Sequence, residues 1–196
     1  MKTNQMKDQD LVNQFVSGDQ SAIEVLIHRH KNRVYTYILL IVKNQELAED
    51  IFQDTFIKVI KSLDNGKYQE KGIFLSWVIR IAHNLIIDHF RKEKHLKTVS
   101  NEDSELDIFN SKKFSDTNIE ENIIQNQIDN DVRRLIDELP ADQKEVILLR
   151  HYGGLSFKEI ADQTDVSINT ALGRMRYALI NLRKLIKDKN LILTKM

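Results

Sequence analysis

Three observations predict an all-α protein of two small helical domains joined by an acidic, flexible linker. Apolar residues recur at three- and four-residue intervals towards both ends of the chain, the period of a helix with one buried face. A single proline, Pro140, and six glycines in 196 residues leave long stretches free to be helical. The 29 basic and 29 acidic residues cancel, but unevenly: Lys and Arg outnumber Asp and Glu by 15 to 12 in residues 1–97 and by 12 to 8 from 132 onward. Residues 98–131 carry 2 against 9.

Composition also excludes several classes. The longest apolar run, Tyr37 to Val42, is far too short for the roughly 20 residues that span a bilayer. The polar start MKTNQMKDQD lacks a signal peptide's apolar stretch, so secretion is not expected. No cysteine occurs, which removes disulfides, thiolate metal sites and cysteine nucleophiles and fits a reducing cytoplasm.

In AIEVLIHRHKNRVYTYILLIV, Ile23, Leu26, Ile27, Val34, Ile38 and Ile41 form one stripe, and Ser21 is placed to cap its start. In QELAEDIFQDTFIKVIKSL a second stripe runs through Phe52, Phe56, Val59 and Leu63, with Ile51 and Thr55 beside it. Its opposite face bears Glu49, Asp50, Gln53 and Asp54, then Lys58 and Lys61; taken alone, that is a solvated face with acids at the positive end of the helix dipole. DNGKYQEKG breaks the period and marks a loop holding Asn65, Lys67 and Tyr68.

The next helix, in IFLSWVIRIAHNLIIDHFRKEK, is apolar around most of its circumference. Ser76, Arg80, His83, Asn84 and Arg91 fall at helical spacing on one side, and the helix runs out into Arg91, Lys92 and Lys94. A cationic, hydrogen-bonding strip beside a loop with Lys67 and Tyr68 suits a phosphate backbone with unpaired bases stacked on aromatic rings. An ordinary wet face with a basic C-terminus has the same pattern.

Residues from Thr98 to about Asn118 are rich in Ser, Asn, Asp and Glu without sustained period, as a linker should be, with helical character expected again from Ile119. DVRRLIDELPADQKEVILLRHYGG then reads as a helix ending near Leu139, Pro140 at a helix entrance, and a helix stopped by Gly153 and Gly154. Ser156 with Glu159 makes a capping box for FKEIADQT, Asp165 occupies a turn that demands a left-handed residue, and Ser167 caps the last helix. Ala171, Met175, Ala178, Leu182 and Leu185 form its core stripe, with Val166 beneath the turn. The outward face is left to Asn169, Thr170, Gly173, Arg176 and Tyr177, with Leu172 and Arg174 at its margins. Asn and Arg make bidentate contacts to base edges, and a glycine lets a helix approach closely, so this helix-turn-helix pattern suits a major groove.

The histidines do not suggest a metal. His28 and His30 lie about 200° apart on a helix, and His83 and His89 share no chelating face. No P-loop, HExxH, GxGxxG or GxSxG pattern occurs, so neither a cofactor nor catalysis is expected.

Two motif blocks in order, AEDIFQDTFIKVI with FLSWVIRIAHNLIIDHFRK and then LPADQKEVILLRHYGGLSFKEIADQTDVSINTALGRMRYAL, resemble the small two-domain sigma-70 factors of bacterial RNA polymerase, the extracytoplasmic-function group. The resemblance spans residues 8 to 190. It implies sigma region 2 over 8–95, a linker over 96–130 and sigma region 4 over 131–190, in a cytoplasmic transcription initiation factor without catalytic activity. It implies that Glu49, Asp50, Gln53, Asp54 and Phe56 bind core polymerase at the clamp coiled coil of the largest subunit, with the flap as a further contact. Asn65, Lys67, Tyr68, Arg80, His83, Asn84, Arg91 and Lys92 would meet the melted −10 strand, and Trp77 would be mainly core. Ser167, Asn169, Thr170, Gly173, Arg174, Arg176 and Tyr177 would meet −35 DNA. The acidic linker is similar to a segment that threads the polymerase interior, and an anti-sigma factor is the implied regulator. Leu172 stands where many relatives have lysine, Asp165 where they have glycine and Ser76 where some have proline, which bears on promoter sequence. Two rival readings are a helix-turn-helix regulator that does not replace the housekeeping sigma factor, and an enzyme built around His83 and Asp88.

Overall fold

The computed structural model describes residues 6–68, 73–98 and 132–191, with side chains of the middle segment to His95. The linker and the end of the loop before Ile73 lie outside the described residues. Among the described residues all regular structure is helical, and the chain divides into two compact units.

The first unit holds α1 (Asp8–Val16), α2 (Ser21–Val42), α3 (Gln45–Asp64) and α4 (Phe74–Thr98). α1 was not among the expected helices. It is short but closes the core with Leu11, Val12 and Phe15, and Asp8 at its start pairs with Arg29 at 2.5 Å and His30 at 2.8 Å on α2. α2 and α3 bury the expected stripes, apart from Ile27 and Phe52, which are half-buried. The expected Ser21 cap is corrected. Ser21 lies inside α2, and Asp19 instead accepts from both the amide and the hydroxyl of Ser21. α2 ends at Lys43 in a left-handed conformation, and Asn44 then caps α3 by accepting from the Leu47 amide at 3.0 Å. α4 packs against both α2 and α3 and buries Phe74, Leu75, Val78, Ile79, Ala82, Ile86 and Phe90.

The second unit holds α5 (described over 132–137), α6 (Ala141–His151), α7 (Phe157–Gln163) and α8 (Ile168–Asp188). Pro140 precedes α6 as expected, its carbonyl accepting from the amides of Gln143 and Lys144. The Lys144 ammonium is buried and donates to Asp137 at 2.5 Å, tying α6 to α5. After α6, Gly154 adopts φ +69°, a region open to glycine at no steric cost, and the Leu155 amide turns back to the Leu149 carbonyl. Arg150 fastens this turn by donating to the Leu155 carbonyl and lying 5.2 Å over the Phe157 ring.

Candidate nucleic-acid and polymerase interfaces

The helix-turn-helix is built by local chemistry. Ser156 accepts from the Glu159 amide while the Glu159 carboxylate accepts from the Ser156 amide, so each satisfies an orphan donor of α7. α7 ends where the Thr164 amide and hydroxyl both turn back to the Ile160 carbonyl. Asp165 takes φ +52°, the left-handed value expected of it, and the Val166 amide reaches the Ala161 carbonyl. Ser167 then accepts from the Thr170 amide at 3.1 Å and starts α8.

α8 packs on α6 and α7, yet only Ala171 and Ala178 are fully buried along its 21 residues. Small side chains let the neighbouring helices come close and leave the remaining circumference outward. Ser167, Asn169, Thr170, Arg176 and Tyr177 are exposed, and Gly173 has nothing within 4 Å of where a Cβ would stand. Two expected −35 residues are engaged within the unit. The Thr170 hydroxyl lies 2.9 Å from that of Ser167, and Arg174 is half-buried, its Nε donating to Asp142 on α6 at 3.2 Å. Burial pushes the carboxyl of nearby Glu145 up to about 7, a rise that Arg174 opposes and Asp142 adds to.

The strip expected on α4 is divided by the structure. Trp77, Arg80, Asn84, Asp88 and Arg91 recur at intervals of three and four along one half-buried to exposed edge. His83 is a correction to the expectation that it shares that strip: it projects about 90° round the helix from this edge and is 3% exposed. Its Nδ1 shares a 2.8 Å hydrogen bond with the Tyr37 hydroxyl, and desolvation lowers its pKa to about 4. Ser76 lies on the same inner side, its hydroxyl buried with no hydrogen-bond partner. At the outer end Arg91 pairs loosely with Asp88 at 3.5 Å, and Lys92 is exposed.

Next to this edge the loop after α3 brings further expected residues together. Asn65 closes α3 by donating to the Lys61 carbonyl, Gly66 follows at φ +64°, and Lys67 is exposed. Tyr68 stacks edge-on to Trp77 at 4.7 Å, and both rings are half-buried, so Trp77 is not wholly core. A cationic edge beside a half-open aromatic pair is the surface that unpaired bases and their phosphates require.

On α3 the polar face is intact: Glu49, Asp50, Gln53 and Asp54 are all exposed. Phe56 is not on it; it is buried, with its ring 5.0 Å from Phe52. Sequence reading missed Ile57, which is 48% exposed between Asp54 and Lys58. Its signal was an apolar residue off the buried stripe and within the polar face. Ile168, Leu172, Leu179 and Ile180 are similarly exposed on α8.

Among the described residues no group of three or more His, Cys, Asp or Glu side chains could hold a metal ion, and no helix is long and apolar enough to cross a membrane.

Comparison with known proteins identifies the family of both units. Residues 26–96 match the model of Sigma-70 region 2, and residues 129–177 match that of Sigma-70, region 4. RNA polymerase sigma factor CarQ of Myxococcus xanthus is 30% identical over 178 residues, covering 90% of this chain and 96% of the relative. ECF RNA polymerase sigma factor SigW of Bacillus subtilis is 27% identical over 180 residues, covering 90% and 95%. The solved structure of CnrH with the cytosolic domain of CnrY shares the fold at a TM-score of 0.60 and 23% identity, covering 92% of this chain and 97% of that one. The sigma factor RpoE of Bartonella quintana, solved with the anti-sigma factor NepR, matches at 0.60 and 19% identity, over 84% and 96%. The chain therefore belongs to the sigma-70 family, in its extracytoplasmic-function group, and is a transcription initiation factor that binds core RNA polymerase and directs it to promoters.

Proposed function

We propose that the labour of initiation is divided between the two units by residue as follows. Residues 8–95 hold the polymerase and capture the melted −10 strand, residues 96–130 tether, and residues 131–190 read the −35 duplex. The observation that carries this reading is the capped α8, whose outward face is bare of its own unit's packing over its first turns. Asn169 and Arg176 are its base readers, Ser167 and Tyr177 lie beside them, and Gly173 permits close approach. Thr170 and Arg174 act mainly by fixing the helix, through Ser167 and Asp142.

On the first unit, Asn65, Lys67, Tyr68, Arg80, Asn84, Arg91 and Lys92 form the −10 surface, with Trp77 added beneath Tyr68. His83 supports that surface from inside through Tyr37. Glu49, Asp50, Gln53 and Asp54 meet the polymerase clamp, with Ile57 as an apolar centre and Phe56 as the buried brace of the helix. The protein is cytoplasmic and has no catalytic role of its own. An anti-sigma protein is its natural antagonist, a reading supported by the likeness to RpoE, which was solved with its anti-sigma factor NepR.

The test is reconstitution. Added to purified core polymerase, the protein should co-purify with it and start transcription from a subset of genomic promoters that core alone does not use. Initiation only when a housekeeping sigma factor is also present would instead favour an accessory regulator.

A further inference from the structure

The surface of α8 contains apolar groups that neither the core nor the polar −35 contacts proposed above explain. Ile168 and Leu172 lie four residues apart, 45% and 44% exposed, in the first two turns after the Ser167 cap. These are the turns that a recognition helix presents to base edges. Leu172 also lies four residues before the exposed Arg176, and Asn169 and Gly173 are its immediate neighbours on the outward side.

Two of the polar side chains expected to read bases here have internal partners. The Thr170 hydroxyl is held by Ser167, and Arg174 by Asp142. The surface left to face a groove in these turns therefore includes two aliphatic side chains, Ile168 and Leu172, beside Asn169 and Arg176. The major-groove edge of B-DNA carries one apolar group, the C5-methyl of thymine. Gly173 sharpens the match: nothing stands within 4 Å of its missing Cβ, so the backbone beside Leu172 can descend into the groove. A branched side chain as short as leucine needs that approach to reach a base. A lysine at this position would instead extend to a phosphate or a guanine.

The rest of the same edge suits DNA better than another protein. Leu172, Arg176, Leu179 and Arg183 follow one another along it, all exposed, so cations interrupt the aliphatic groups. A continuous apolar seam would favour a partner helix, whereas alternation places arginines at phosphates on either side of an apolar base contact.

We propose that Leu172, supported by Ile168, is a specificity-determining residue that reads the C5-methyl of a thymine in the −35 element. The inference rests on the reading of α8 as the −35 helix and adds the chemistry of one contact to it.

The experiment begins with the full chain bound to core polymerase, which selects from duplexes randomised across the −35 region. Each thymine of the selected duplex is then replaced by 2′-deoxyuridine, which removes only the methyl group. One replacement should weaken binding about fourfold, the effect expected from burying a single methyl. Leu172→Ala should abolish the difference between thymine and deoxyuridine at that position and leave Arg176-dependent binding in place. Leu172→Lys should relax the selected thymine. The Leu172→Ala helix is expected to form, since the residue is exposed and alanine favours helix. The proposal is overturned if the selected element has no thymine, or if no replacement depends on Leu172. It is likewise overturned if Leu172→Ala weakens core binding with base preference unchanged, which would make the edge a protein contact. In each of these cases the −35 assignment survives, because a sequence was selected. If no sequence is enriched at all, the assignment of α8 falls and the thymine contact with it.

Discussion

α4 and α8 are of similar length and are both proposed to meet DNA, but they are built in opposite ways. α4 is held on most sides, with Phe74, Leu75, Val78, Ile79, Ala82, His83, Ile86 and Phe90 all buried, and its functional edge is a narrow margin. α8 buries only Ala171 and Ala178 completely, and most of its surface is available. A helix that takes hold of single-stranded DNA during melting gains from a rigid seat. A helix that enters a groove must stand clear of its own domain. The difference teaches that a substitution on the buried sides of α4 perturbs stability and binding together, whereas over most of α8, as at the exposed outer end of α4, the two separate.

The largest effect should come from the buried side of α4. Ile79 is wholly buried, so Ile79→Ala should cost about 2–5 kcal/mol of first-unit stability. Trp77, the chain's single tryptophan, reports on that unit by fluorescence during urea unfolding. The matching change on α8, Leu179→Ala at a 44% exposed site, should stay within about 0.5 kcal/mol. Equal losses would contradict the contrast.

Next in size are pH effects of opposite sign. Folded His83 resists protonation down to about 4, while in the unfolded chain it protonates near 6.5. The first unit should therefore lose stability as pH falls from 6.5 towards 4, by up to roughly 3 kcal/mol. Folded Glu145 keeps its proton up to about 7, whereas the unfolded chain releases it near 4.5. The second unit should lose stability as pH rises across that interval, by at most about 3 kcal/mol. Urea midpoints by Trp77 fluorescence give the first slope, and amide exchange in α6 and α8 gives the second. Glu145→Gln should flatten the second and leave the first unchanged.

The smallest stability change belongs to the exposed end of α4. Both partners of the Arg91–Asp88 pair are more than half exposed, so Arg91→Gln should change unfolding by less than about 0.5 kcal/mol. Its effect should appear in single-stranded −10 binding, where losing one phosphate contact lowers the salt slope by about 0.7. An unchanged slope would remove Arg91 from the −10 surface.

Much of this was legible in the sequence wherever the determining chemistry is local. The Ser156 and Glu159 box, the left-handed Asp165, the Ser167 cap and Pro140 before α6 each depend on residues within a few positions, and each appears as expected. The polar face of α3 and the apolar stripes followed from period alone. Side-chain direction on a nearly all-apolar helix did not. His83 and Arg80 are three residues apart, and only the packing of α2 against α4 decides that His83 turns inward to Tyr37. Arg174 was legible as a cation near the outward face, but its partner Asp142 lies on another helix. The Ser21 cap failed because the helix begins at Ser21 itself, where Asp19, two residues earlier, accepts from its amide and its hydroxyl. α1 escaped notice since three buried residues in a nine-residue segment make a weak period. Leu172 stood out in the sequence as a departure from the family pattern, whereas Ile57 was visible only as a letter until the structure left it uncovered.

The division of labour between the two units is tested most directly by comparing Arg176→Ala with the pair Asp50→Ala and Gln53→Ala, in two assays run in parallel. One measures affinity for core polymerase, and the other measures affinity of the full chain for a −35 duplex. Arg176→Ala should weaken duplex binding by about 1–3 kcal/mol with core affinity unchanged, and the α3 pair should weaken core affinity with duplex binding unchanged. If both variants lose core affinity equally, the assignment of α3 to polymerase and α8 to the −35 duplex is wrong.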